Sequence, residues 1–157
     1  MKKIHSIQDK FKNKIVLFVG RLIYYKGLEY LIKSIPQINA HFILIGGGPL
    51  KNTLKQMTKD LKVENKITFF ESMDEDELIS YYYACDLFVL PSIANSEAFG
   101  IVQLEAMTCG KPVVSTNLPT CVPFVNLHQK TGIVVLPKNS DALAQAINTL
   151  LEREDLR

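Results

Sequence analysis

Apolar residues in this chain come as short unbroken runs separated by amphipathic stretches, and that pattern predicts the architecture. The runs are Ile15–Val19 within the segment Lys14–Gly20, then His41–Ile45, Ile67–Phe70, Leu87–Leu90, Pro112–Ser115 and Ile133–Leu136. The first does not alternate apolar with polar positions, as expected of a central strand covered on both faces. Between the runs, apolar residues recur at helical spacing: Leu28, Leu31, Ile32 and Ile35, then Leu50, Leu54, Met57 and Leu61, then Leu78, Ile79, Tyr82 and Tyr83. A last set is Leu143, Ile147, Leu150 and Leu151. Pro36 marks the end of the first helix, Pro49 opens the second, Asp74–Glu77 form the first turn of the third, and Ser140 or Asp141 caps the last. Ala98–Cys109 is helical in pattern and almost wholly apolar, which predicts a buried helix. Residues 1–13 read as a polar, irregular leader or linker. Residues 117–130 read as a long loop with one short helical turn.

Strands that alternate with helices in this way predict an α/β fold, a Rossmann-like doubly wound six-stranded parallel sheet with right-handed crossovers, over residues 14–157. In such sheets ligands bind beyond the carboxyl ends of the strands, where the strand order reverses. Gly20-Arg21, Gly46–Gly48, Phe70-Glu71, Ser92–Glu97 and Ser115–Asn117 all fall at those ends.

Composition narrows the picture without redirecting it. The 157 residues are 47% hydrophobic and 22% charged, as in one globular domain rather than a disordered chain. A net charge of +2 gives no argument for nucleic acid or an anionic membrane as partner. Cys85, Cys109 and Cys121 lack CxxC spacing and are expected as reduced, mostly buried thiols of a cytoplasmic protein. The N-terminus has no signal-peptide core, and no apolar run approaches the roughly 18 residues of a membrane span.

The candidate chemistry clusters after the fourth strand. Glu97 precedes the apolar helix and Glu105 lies within it, with seven residues between them. A carboxylate on an apolar helix is costly unless hydrogen-bonded. Glu97 reads either as a cap for that helix or as a ligand contact. Glu105 reads either as an acid satisfied by a lysine such as Lys111 or, as we favour, as an acceptor for ribose hydroxyls. Phe99, Gly100 and Ile101 place free backbone N–H groups at the helix start, where an anion is welcome. Arg21 and Lys26 flank the first turn and suit a diphosphate, against the plainer reading that Lys26 is solvated and Arg21 pairs with an acid. Gly46–Gly48 lacks the spacing of a phosphate-binding fingerprint and reads first as a tight turn, although it also allows close approach by a ligand. Asp74–Glu77 is explained by acids in a first helical turn. His5, His41 and His128 are dispersed, so no metal site is expected. His128 reads as a surface residue, and Met57, Met73 and Met107 as core filler.

Taken in order, Gly20-Arg21, Lys26-Gly27, Gly46–Pro49, Asp86–Ser92, Glu97–Met107 and Cys109–Val114 resemble the C-terminal domain of retaining GT-B glycosyltransferases of family 4. The resemblance covers about residues 14–153. It implies one half of a GT-B fold and a hexosyltransferase using a nucleotide-diphospho-sugar. In that role Arg21 and Lys26 would bind the diphosphate in place of a metal, and Glu97 would contact the donor sugar. Glu105 would hold the ribose. Gly20, Gly47 and the backbone around Phe70 would line the nucleotide, and the N–H groups of Phe99, Gly100 and Ile101 would hold phosphate and sugar. No cofactor and no essential metal are implied. A glycan or lipid-linked acceptor would be met through an N-terminal domain that the chain does not match, at the inner face of the membrane. On its own the domain is expected to be inactive, as a fragment or as a truncated chain that needs a partner, and the helix that returns to the other domain is expected to be cut short after Arg157. Glu71 departs from the glycine common at its position, and Leu118–His128 resembles a variant loop of bacterial surface-polysaccharide transferases. The alternative is a non-catalytic nucleotide-sugar-binding or partner-pairing module of the same fold. A dehydrogenase would need a GxGxxG turn after the first strand, and there is none.

Overall fold

A computed structural model describes residues 1–153. Its centre is a sheet of six strands: β1 (Ile15–Val19), β2 (His41–Ile45), β3 (Ile67–Phe70), β4 (Leu87–Leu90), β5 (Val113–Thr116) and β6 (Gly132–Val135). Their order is β3-β2-β1-β4-β5-β6, and every neighbouring pair is parallel. The chain winds outward from β1 to one edge and then returns to β4 to wind outward to the other. The reversal therefore falls between β1 and β4. Val16, Leu17, Phe18 and all of Leu87–Leu90 are fully buried, so both faces of the central strands are covered and alternation has no physical basis there.

Among the described residues, seven α-helices surround the sheet: α1 (Lys2–Phe11), α2 (Leu28–Ser34), α3 (Lys51–Asp60), α4 (Glu75–Ala84), α5 (Val102–Thr108), α6 (Val122–Val125) and α7 (Ser140–Glu152). α2 packs against α3 and α7, and α1 packs against α4. Pro36 sits in the 3-10 turn Ile35–Gln37 that ends α2. Asp74 caps α4, its carboxylate accepting from the Glu77 N–H at 2.7 Å. The cap of α7 is Asn139, which accepts from the Ala142 N–H at 2.9 Å. The expected Ser140 or Asp141 is thus displaced by the neighbour whose extended backbone aims its side chain at the third helical N–H.

Three further expectations need correction. Residues 1–13 are not an irregular leader. They form α1, whose Ile7 is buried, with Ile4 and Phe11 packed against the core and Gln8 donating to the Ala84 carbonyl at 3.3 Å. Lysines on its other faces hide a one-sided apolar stripe that needs only three residues. The helix after β4 is also shorter and more open than its composition suggests. It begins at Val102 and buries only Gln103 and Ala106, while Phe99, Ile101 and Leu104 are 45%, 65% and 43% exposed. Cys85 is buried and Cys109 half-buried, but Cys121 is exposed. The segment expected to end short after Arg157 lies outside the described residues. Among those described, no helix is long and apolar enough to cross a membrane.

Candidate functional site

The crevice between β1 and β4 opens onto the loop 21–27 and the loop 91–101. The first is pinned to the second through backbone. The Ile93 N–H donates to the Tyr25 carbonyl at 2.8 Å. Gly27 adopts φ 67° so closely against Pro91 that an added Cβ would stand 2.0 Å from the Pro91 oxygen. Only glycine fits there, and its fit sets the position of Lys26 just before it. The Lys26 ammonium meets the Glu97 carboxylate at 2.5 Å, and the Ser92 hydroxyl donates to the same carboxylate oxygen at 2.8 Å. Lys26 is 9% exposed, Glu97 7% and Ser92 fully buried. The Ser92 carbonyl is in turn held by the Thr116 hydroxyl at the end of β5, at 2.6 Å. The plainer readings of a solvated Lys26 and a helix-capping Glu97 are therefore both replaced by one buried ion pair. Arg21 is exposed at the mouth of the crevice, and among the described residues its guanidinium forms no ion pair.

Beyond Glu97 the chain turns into α5. Among the described residues, the N–H groups of Phe99, Gly100 and Ile101 donate to no backbone carbonyl. Gln103, fully buried, holds this turn from beneath by donating to the Phe99 carbonyl at 3.2 Å, with a longer contact of 3.5 Å to the Val122 carbonyl. Glu105 is exposed rather than buried. Its partner is not Lys111 but Tyr82, whose hydroxyl donates to Oε2 at 2.6 Å. Glu97 and Glu105 therefore occupy different settings, one sealed between two loops and one exposed on α5.

The strands on the β2 side add a second flank. Gly46 and Gly48 are spent on the chain itself: a Cβ on Gly46 would lie 1.9 Å from the Gly20 oxygen, so this glycine lets loops 20–22 and 46–50 zip together. Gly20 donates to the Ile45 carbonyl and Leu22 to the Gly47 carbonyl. Gly47 is the member of the run with room beside it, its nearest neighbour being Glu71 at 3.7 Å. The Phe70 carbonyl accepts from the Gly46 N–H at 2.8 Å, and its ring lies against Tyr81. Glu71 pairs with Lys51 at 2.8 Å in the open. That hydrogen bond, with the lysine's charge, holds the Glu71 carboxyl below its usual pKa. His128 serves the fold, its Nδ1 accepting from the Val134 N–H at 3.0 Å. Among the described residues, no three His, Cys, Asp or Glu side chains converge in a way that could hold a metal ion.

The structure thus brings Lys26, Glu97 and Ser92 together between the loops after β1 and β4, with Arg21 exposed in the first loop and the 99–101 turn following Glu97. Gly20, Gly47 and Phe70 lie in loops and strand ends hydrogen-bonded to one another beside it, and Glu105 lies further along α5 against Tyr82. Sequence reasoning did not single out Ser92, Thr116, Gln103 or Tyr82. A serine directly after an apolar strand and Pro91 was a usable signal for Ser92. No sequence signal marks Tyr82, which is 23 residues from its partner.

The whole chain, residues 1–157, matches the family described as Glycosyl transferases group 1. An uncharacterized glycosyltransferase of Methanocaldococcus jannaschii is 39% identical over 150 residues, which cover 93% of this chain and 37% of that protein. The D-rhamnosyltransferase WbpZ of Pseudomonas aeruginosa is 32% identical over 150 residues, covering 96% of this chain and 39% of that one. The crystal structure of Anabaena HepE in complex with UDP superposes with a TM-score of 0.87 at 30% identity, over 96% of this chain and 43% of that one. The chain therefore spans well under half the length of the proteins it matches.

Proposed function

The chain belongs to the group 1 glycosyl transferases, and from that premise we propose that it is the donor-binding half of a retaining glycosyltransferase that takes a nucleotide-diphospho-sugar. The observation that carries this reading is the buried Lys26–Glu97–Ser92 cluster at the point where the strand order reverses. A buried ion pair is a poor device for stability, whereas a cation and a carboxylate stored together in a ligand crevice suit a ligand that carries both phosphate and hydroxyls.

Arg21 and Lys26 bind the diphosphate. As the bond from the anomeric carbon to the distal phosphate oxygen breaks, that oxygen keeps the electron pair, while the anomeric carbon bonds to the acceptor's hydroxyl oxygen and the hydroxyl proton passes to the departing phosphate. The two cations and the N–H groups of Phe99, Gly100 and Ile101 hold the charge that results. This does the work a divalent metal would otherwise do, so no metal is required. Glu97, its lysine now shared with phosphate, accepts from hydroxyls of the donor sugar. Glu105 accepts from the ribose. Gly20, Gly47 and the backbone at Phe70 line the nucleotide. The UDP complex of HepE supports a nucleotide-sugar donor and the rhamnosyltransferase WbpZ supports sugar transfer; the acceptor we propose is a glycan or a lipid-linked glycan. That acceptor is met through the half of the longer relatives that this chain does not span, at the cytoplasmic face of the membrane in surface-polysaccharide synthesis.

Calorimetric titration with UDP, GDP and ADP, without and with Mg²⁺, tests the reading. Saturable binding of one nucleotide that is indifferent to Mg²⁺ is expected. Arg21→Ala should weaken it by about ten- to a hundredfold, the scale of a hydrogen bond to a charged group. If none of the three binds up to millimolar concentration, the donor-site reading gives way to a non-catalytic, partner-pairing module of the same fold.

A further inference from the structure

We infer that Tyr82 of α4 is a positioning residue for the nucleotide ribose, acting through Glu105. The inference rests on the donor-site reading above and adds a residue to it.

Tyr82 is 3% exposed, with its ring tilted against Phe88 of β4 at a centroid distance of 5.8 Å. Its position is therefore fixed by the sheet itself. Its hydroxyl donates to Glu105 Oε2 at 2.6 Å, a short charge-assisted bond. Burial first, and then the neighbouring Glu105 carboxylate, drive the Tyr82 pKa far up, so the hydroxyl stays protonated and acts as a donor to the carboxylate. Among the described residues Glu105 has no ion-pair partner, and no hydrogen bond is formed by its Oε1. An exposed glutamate on a helix ordinarily samples several rotamers, and ordering it costs free energy. Tyr82 takes one oxygen and so fixes the side chain in advance, leaving Oε1 directed by the same bond and free to accept from a pair of vicinal hydroxyls. A tyrosine placed only for packing would not need its hydroxyl on an exposed carboxylate of the neighbouring helix.

The test compares affinities for a nucleotide and for its 2′,3′-dideoxy analogue, using whichever of UDP, GDP and ADP binds the native chain. The native chain should prefer the ribonucleotide, and Glu105→Ala should erase most of that preference. Tyr82→Phe keeps the ring and removes only the hydroxyl. It should lower the preference by roughly three- to tenfold, the scale of one hydrogen bond, while leaving affinity for the dideoxy analogue unchanged. Added to Glu105→Ala, it should lower the preference no further, because the two act as one unit. A thermal midpoint for each variant reads any loss of fold separately. If Tyr82→Phe retains the native preference, Tyr82 is a packing residue and the inference is overturned, whatever happens to the midpoint. If the native chain shows no preference, or Glu105→Ala keeps it, then the ribose role of Glu105 itself fails and takes the inference with it.

Discussion

Among the described residues are two lysine–glutamate pairs of similar geometry and opposite setting. Lys26–Glu97 closes at 2.5 Å with side chains 11% and 9% exposed, in the crevice between β1 and β4. Lys51–Glu71 closes at 2.8 Å with side chains 29% and 72% exposed, at the outer flank beyond β3. Both join a lysine to a glutamate from segments that follow different strands. The difference lies in what surrounds them. Water screens the outer pair and would replace either partner at little cost. The inner pair has given up its hydration, and each charge depends on the other and on Ser92. An ion pair's distance thus says little about its worth, and burial decides both its energetic weight and its use to a ligand.

The sharpest way to test that contrast is to remove one charge from the inner pair. Glu97→Ala leaves the Lys26 ammonium buried without a counter-charge and should cost about 3–5 kcal/mol in chemical denaturation. A midpoint no different from native would mean that water reaches the crevice freely, and the contrast would collapse. Replacing both partners, Lys26→Met with Glu97→Leu, should cost clearly less than Glu97→Ala alone, because no orphaned charge remains. The same double variant should lose nucleotide binding, which separates the pair's cost to the fold from its service to a ligand.

The outer pair should give the smallest effect. Lys51→Ala should not measurably move the unfolding midpoint at moderate salt. What difference it makes at low salt has a defined pH dependence. The Glu71 carboxyl is held below its usual pKa by Lys51, so the pair's contribution is present above the carboxyl's unfolded value of about 4.5 and is lost as pH falls through the depressed folded value. Thermal scans of native and Lys51→Ala chains at low salt, near neutrality and well below that range, should differ slightly in the first case and coincide in the second.

The sequence disclosed the two settings unequally. The strands were legible because β1, β4 and, after His41, β2 are unbroken apolar runs, and a fully buried strand has no other pattern available to it. The crevice was legible as a location, since Arg21, Lys26 and Glu97 all follow strands whose ends must converge. What sequence could not supply was which side chain meets which. Lys26 and Glu97 are 71 residues apart, and Tyr82 and Glu105 23 apart. Those pairings exist only because strand order brings α4, α5 and the first loop together. Helix α1 was illegible for the opposite reason, since a stripe as thin as Ile4, Ile7 and Phe11 is lost among lysines. The exposure of Phe99, Ile101 and Leu104 shows that apolar composition reports what a segment can bury, while the neighbours at hand decide what it does bury.

The pairing of β1 with β4 has one more consequence, for how the protein assembles. Two strands at the heart of the sheet meet across some seventy residues of chain, and such long loops must close before their contacts repay the lost freedom. No partial structure that lacks this junction can present the crevice. A small molecule that settles there therefore recognises only the finished fold and, by mass action, shifts the folding equilibrium of the entire domain toward it.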